Sequence, residues 1–137
     1  MSKKIILLAG PTASGKSKLA VQLAKKINGE IINADSMQIY KEFSILSSRP
    51  IDKEINNPKH HLYGIISVKK TFSAGDWLKL TKLKVKQCHS IKKLPIIVGG
   101  TGLYFNMITR GLSKIPSIDS ATRNKVRHLF RKLGYKN

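Results

Sequence analysis

The chain has few acids and almost no cysteine: 26 Lys and Arg stand against 7 Asp and Glu, with one Cys in 137 residues. A single thiol, Cys88, forms no internal disulfide and has no CxxC partner, so it is assigned to packing within a helix. No apolar run reaches the 18 or so residues of a membrane span. The stretch Ile5 to Ala9 behind Lys3 and Lys4 is too short for a secretory core, so a cytoplasmic protein with no membrane role is expected. There is no internal repeat or low-complexity tract, and the length is that of one ordinary domain. One further lack is local. The apolar run in "PIIVGGTGLY", Pro95 to Tyr104, ends on Gly99, Gly100 and Thr101, with no acid where phosphate-binding sheets often place a metal-holding Asp.

What is present in excess is positive charge, +19 with a pI near 10.3. It is uneven: residues 1–54 hold 9 basic and 5 acidic residues, residues 55–137 hold 17 and 2. Such a field attracts polyanions, and the second half is the side expected to face them. Lys outnumbers Arg 21 to 5, a mark of coding bias, yet bias alone would also raise Asp and Glu. Nucleic-acid contact is the expectation.

The apolar run Lys4 to Ala9, bounded by Gly10-Pro11, suits a strand buried on both faces of a parallel sheet. Leu19, Ala20, Leu23, Ala24 and Ile27 then recur at helical spacing until Asn28-Gly29 stops them. Glu30 to Asp35 reads as a second strand, "SMQIY" as a short helical turn and 42–60 as a loop. "HHLYGIISV", from His60, is a weaker third strand. Ser73 and Asp76 form a capping box for a helix running to about Lys93, with Trp77 and Cys88 on its apolar face. "LPIIVGG" is the next buried strand, "TGLYFNMITRGL" a helix, and Ser120 to Leu133 a basic amphipathic helix. Alternating strands and helices define an α/β fold with a parallel sheet and right-handed crossovers.

"GPTASGKS", residues Gly10, Pro11, Thr12, Ala13, Ser14, Gly15, Lys16 and Ser17, fits GxxxxGKS between a strand and a helix. In that context backbone N–H groups and the helix N-terminus hold phosphate oxygens. Lys16 adds a charge to the terminal phosphate, and the Ser17 hydroxyl is the candidate Mg²⁺ ligand. The fold class is therefore P-loop NTPase-like. Ligands of such sheets sit beyond the strand carboxyl ends, so Asp35 and Thr101 are expected around the same cleft as Lys16. Gly99 and Gly100 are read as leaving room for a planar group. Thr101 suits both a helix N-cap and a ligand contact.

Together, "GPTASGKS", "NADSMQIYKEF", "HHL", "FSAGDWL" and "PIIVGGTGLYFNMITRGL" resemble, in order and over nearly the whole chain, the tRNA dimethylallyltransferases, or isopentenyl-tRNA transferase family. The resemblance implies transfer of a dimethylallyl group from dimethylallyl diphosphate to N6 of the adenosine 3′-adjacent to the anticodon of tRNA, with Mg²⁺. It implies a monomer that holds the anticodon stem-loop. It makes Asp35 the general base, Lys16 and the loop the diphosphate cradle, and Thr101 a contact to the adenosine or the diphosphate. Ser36, Met37 and Gln38 complete the tRNA-contacting motif, and Arg123 matches a tRNA-contacting arginine. Family members continue into a tRNA-gripping insertion and further sheet, so residues 1–137 are expected to be the N-terminal part of a larger catalytic domain, with an incomplete sheet.

The chain departs from the family pattern twice. Leu46, Ser47, Ser48, Arg49, Pro50 stand where the family has Gly-Thr-Ala-Lys-Pro; Tyr63 and Gly64 follow His60-His61-Leu62 where the family has Ile and Asp. Adjacent strand residues face opposite sides, so the His pair is not assigned to metal. Two other functions share the phosphate loop: an ATP-dependent small-molecule or nucleotide kinase, disfavoured by the missing strand-end Asp, and a tRNA-binding remnant without turnover.

Overall fold

The computed structural model describes residues 4–50, 57–112 and 118–134. Four parallel strands form one sheet in the order β1-β4-β2-β3, where β1 is Ile6–Ala9, β2 Gly29–Asn33, β3 His60–His61 and β4 Leu94–Gly99. The register places Ile96 of β4 beside both Ile6 of β1 and Ile31 of β2. The β-branched runs thus fill the middle of the sheet.

Helices cover both faces. α1 (Lys16–Ile27) lays Ala20 and Ala24 on Ile31, Ile96 and Val98. α2 (Ala74–Ser90) and α3 (Gly102–Arg110) cover the other face, where Ile32 and Ile97 meet Trp77, Cys88, Tyr104 and Met107. Trp77 has the packing role expected of it. Its ring stacks on Tyr104 at 4.0 Å and 9°, and its Nε1–H donates to the Asn33 carbonyl at 2.8 Å.

The capping box forms as read: Ser73 Oγ accepts the Asp76 N–H and the Asp76 carboxylate accepts the Ser73 N–H. α2 stops at Ser90, short of Lys93, where Lys92 adopts a left-handed φ of 56°. α4 (Ser120–Leu133) spans the expected basic helix, capped by Asp119, whose carboxylate accepts the Thr122 N–H. None of its residues is buried.

Three expectations are corrected. β1 is an edge strand, not one buried on both faces; Leu7 is 38% exposed because among the described residues only β4 pairs with it. The strand read from His60 to Val68 is cut to two residues, since Leu62 (φ 64°) and Gly64 (φ 57°) turn the backbone out of the extended region. β2 ends at Asn33 rather than Asp35, because the Asn33 side chain accepts the Asp35 N–H at 2.8 Å and closes a turn.

Candidate active site

The site grows from three chain segments that meet at the carboxyl ends of β1, β2 and β4. β1 runs into the phosphate loop, where Ala13 (φ 61°) and Gly15 (φ 78°) adopt left-handed backbone. Alternating backbone of this kind turns successive N–H groups inward, and Gly15 is also the N-cap of α1. A Cβ on Gly15 would meet nothing within 4 Å, so glycine is there for its φ. Lys16 Nζ donates to the Pro11 carbonyl at 2.6 Å, reaching back over the loop it follows.

The turn after β2 is held by a buried amide. Asn33 Nδ2 donates to the Asp35 and Leu62 carbonyls, each at 3.0 Å, while Oδ1 accepts the Asp35 N–H. Asp35 is thereby fixed at its backbone, and its Oδ1 accepts the Met37 N–H at 2.9 Å. Gln38 Nε2 donates to the Ser47 carbonyl at 2.8 Å, which joins this turn to the following loop.

At the end of β4, Thr101 is the N-cap position of α3 but makes no side-chain cap bond. Its Oγ1 accepts the Ser36 N–H at 2.9 Å and lies 3.3 Å from Ser36 Oγ, to which it donates. The two glycines before it serve the same junction. A Cβ on Gly99 would lie 2.2 Å from the Ala34 carbonyl carbon and oxygen, and one on Gly100 would lie 3.2 Å from the Gly10 carbonyl oxygen. The room these glycines were expected to leave for a planar group is taken by the chain's own backbone.

Between the phosphate loop and the β2 turn lies a cavity of about 560 Å³. Gly15, Lys16 and Ser17 of the loop and Asp35, Met37 and Gln38 of the turn all line it. Thr101 and Ser36 bond to each other beside it rather than lining it, and Arg123 stands apart on exposed α4. Tyr63 lines both this cavity and an adjoining one of the same volume against α1. Burial, with the Asp35 charge second, pushes the Tyr63 phenol well above its ordinary range, so it stays a neutral hydrogen-bonding group. Burial also raises Tyr104, with Tyr40 and Asp35 adding smaller contributions.

The two departures from the family pattern meet in space. Gly64 sits against Arg49, and a Cβ there would lie 1.9 Å from Nη1, while that same Nη1 donates to the Tyr40 carbonyl at 3.0 Å. The guanidinium is the far end of a flexible side chain and can swing aside, so it is the φ of 57° at Gly64 that favours glycine there.

Asn33 and Tyr63 were not singled out as site residues from sequence. A buried amide directly before the turn was the available signal for Asn33; Tyr63 stood only as a departure.

A phosphate loop on a parallel sheet with helices on both faces is the P-loop NTPase-like fold. A family model described as "IPP transferase" matches residues 38–137, and the chain belongs to that family. It is 57% identical over 133 residues to the tRNA dimethylallyltransferase of Pelagibacter ubique, covering 97% of this chain and 42% of that protein. The Rickettsia felis tRNA dimethylallyltransferase is 46% identical over 132 residues, 96% of this chain and 43% of the relative. The chain thus spans less than half the length of these relatives. Among solved structures, the full-length tRNA isopentenylpyrophosphate transferase of Bacillus halodurans superposes with a TM-score of 0.79 at 34% identity, covering 97% of this chain and 44% of that one. A eukaryotic dimethylallyltransferase acting on tRNA gives 0.78 at 32% identity, covering 93% and 32%.

Proposed function

We propose that this chain carries the diphosphate-binding and proton-accepting half of a tRNA prenyltransferase, which moves a dimethylallyl group from dimethylallyl diphosphate to adenosine N6. The observation that carries the reading is that Lys16 and Asp35 line the same cavity. Breaking the allylic carbon–oxygen bond puts charge on the leaving diphosphate, which the loop N–H groups and Lys16 would stabilise where it forms. Asp35 would align the amine and take its proton; the Met37 N–H holds Oδ1 and leaves Oδ2 for that work.

Mg²⁺ suits the oxygen chemistry of this cavity, with the Ser17 hydroxyl as protein ligand beside the diphosphate oxygens. When bound it would neutralise charge on the leaving group. The adenosine 3′ of the anticodon is the acceptor proposed, and it must leave its stack to reach the cavity. Ser36, Met37, Gln38, Thr101 and Arg123 are the proposed tRNA side of the site, in a cytoplasmic, monomeric protein.

The test is incubation of the chain with dimethylallyl diphosphate, Mg²⁺ and unmodified tRNA, followed by nucleoside mass spectrometry. A prenylated adenosine is expected. Transfer of labelled γ-phosphate from ATP to a small acceptor instead would overturn the reading in favour of a kinase.

A further inference from the structure

Near the amino end of β2, away from the cavity, three side chains with different donor atoms converge. Glu30 lies in β2, His61 in β3 and Cys88 in the last turn of α2. Strand register brings the first two together: His61 pairs with Ile32, and Glu30, two residues earlier, shares that face. α2 packs on the same face, where Cys88 and Ile32 belong to one core cluster.

His61 Nε2 is 2.6 Å from Glu30 Oε2, Cys88 Sγ is 3.6 Å from that same oxygen, and the three donor atoms all lie within 4.8 Å of one another. Glu30 is 5% exposed, His61 9% and Cys88 0%. None of the three lines the cavity that holds Lys16 and Asp35.

We propose that Glu30, His61 and Cys88 form a three-donor site for a borderline-soft divalent cation of the zinc type. A carboxylate, an imidazole and a thiolate are the donors such ions take. With Zn–S near 2.3 Å and Zn–O near 2.0 Å, adjacent tetrahedral donors stand about 3.5 Å apart, close to the sulfur–oxygen separation already present. The shorter Nε2–Oε2 contact lengthens for the cation to enter, and the imidazole carries its proton on Nδ1 so that Nε2 is free to bind. Burial, with the Glu30 charge second, pushes the free Cys88 thiol up to about 11, so binding displaces its proton to solvent. The carboxylate and thiolate together balance the cation's two charges, so Lys59 and Lys84, the cations felt at His61, face a neutral unit. Three protein donors leave one position of a tetrahedral ion to a ligand from outside this trio. The site would fasten the two-residue strand β3 and the end of α2 to β2.

The lone cysteine makes the test specific. Tag-free chain is stripped with a chelator and titrated with Co²⁺. The expected result is a near-ultraviolet thiolate-to-cobalt charge-transfer band that saturates at one equivalent and is displaced by Zn²⁺ but not by excess Mg²⁺. Oxygen ligands at the phosphate loop give no such band, and no other residue supplies sulfur as a thiolate. Cys88→Ala should remove the band and His61→Gln should weaken Co²⁺ binding tenfold or more, with circular dichroism confirming the fold of each. A folded wild-type chain without the band, or a band of unchanged affinity in both His61→Gln and Glu30→Gln, would overturn the proposal. Neither readout depends on prenyl transfer.

Discussion

Thr101 Oγ1 accepts the backbone N–H of Ser36 at 2.9 Å across 65 residues of sequence, pinning the end of β4 to the turn that carries Asp35. The Thr101 N–H makes a second link, donating to the Ala34 carbonyl at 3.2 Å. Thr101→Val keeps the side-chain shape and leaves the Ser36 N–H without its acceptor. The expected loss is about 1 kcal/mol, the usual cost of an unmet donor in a part-buried place. Urea unfolding of Thr101→Val and Thr101→Ser checks it: Ser should restore the midpoint, and equal loss in both would assign the effect to packing.

Gly99 and Gly100 should respond differently to the same methyl group. At 99 the methyl meets the Ala34 backbone just past the end of β2, which is held to β4 by the Ala34 N–H donating to the Val98 carbonyl at 2.7 Å and cannot move aside without breaking that link. At 100 the Gly10 carbonyl has to give only a few tenths of an ångström. Gly99→Ala is expected to lose more than about 3 kcal/mol or fail to fold, at the upper end of single-substitution effects. Gly100→Ala should retain a cooperative transition, and comparison of the two denaturation curves decides the order.

The fold was legible where local signals agree with tertiary context. The apolar run at β4, the Ser73–Asp76 box and the helical spacing of α1 each combine propensity with a start or stop residue, and each forms. Failures came where a neighbour decides. The exposure of Leu7 depends on which strands flank β1, and the short β3 on positive φ at Leu62, which carries no sequence mark. The placing of the phosphate loop and Asp35 on one cavity was readable, because ligands of a parallel sheet sit beyond the carboxyl ends of its strands. Asn33 was not, since an amide inside "EIINAD" shows its three bonds only once Leu62 is placed beside it.

Acid should weaken the start of α2. The Ser73 side-chain and backbone hydrogen bonds hold the Asp76 carboxyl below its ordinary value of 3.8. A folded pKa lowered in this way gives stability that is present above the unfolded pKa and lost as pH falls through the folded one. The gap in unfolding midpoint between wild type and Asp76→Ala should therefore be open at pH 7 and shrink below about pH 4. Asp76 is partly exposed and its carboxylate is reached by water, so the effect is small; a gap independent of pH would mean the carboxylate charge contributes nothing.

The basic second half predicts a salt-dependent hold on tRNA, should the chain bind it as proposed. Each phosphate neutralised adds about 0.7 to 0.9 to the slope of log affinity against log salt. Arg123 is exposed on α4, and replacing it removes one positive charge without unpacking a core. Arg123→Ala should lower the slope by roughly one phosphate contact and weaken all tRNAs alike. Filter binding across a salt series measures it, and an unchanged slope would remove Arg123 from the interface.

Lys16 and Asp35 face the same cavity with opposite charges, so their substitutions should separate binding from chemistry. Lys16→Ala removes a charged donor from the loop and should weaken inorganic diphosphate binding by about 2 kcal/mol, roughly thirtyfold. Asp35→Asn keeps an oxygen for the Met37 N–H, so the turn should survive while the proton acceptor is lost. Its diphosphate affinity should stay near wild type or rise slightly, because a negative charge has been removed from the cavity. Transfer, measured as prenylated adenosine, should fall by about a hundredfold or more. Calorimetric titration with diphosphate alongside the transfer assay tells the two roles apart: loss of diphosphate binding in Asp35→Asn would make Asp35 a structural or metal-holding group rather than the base.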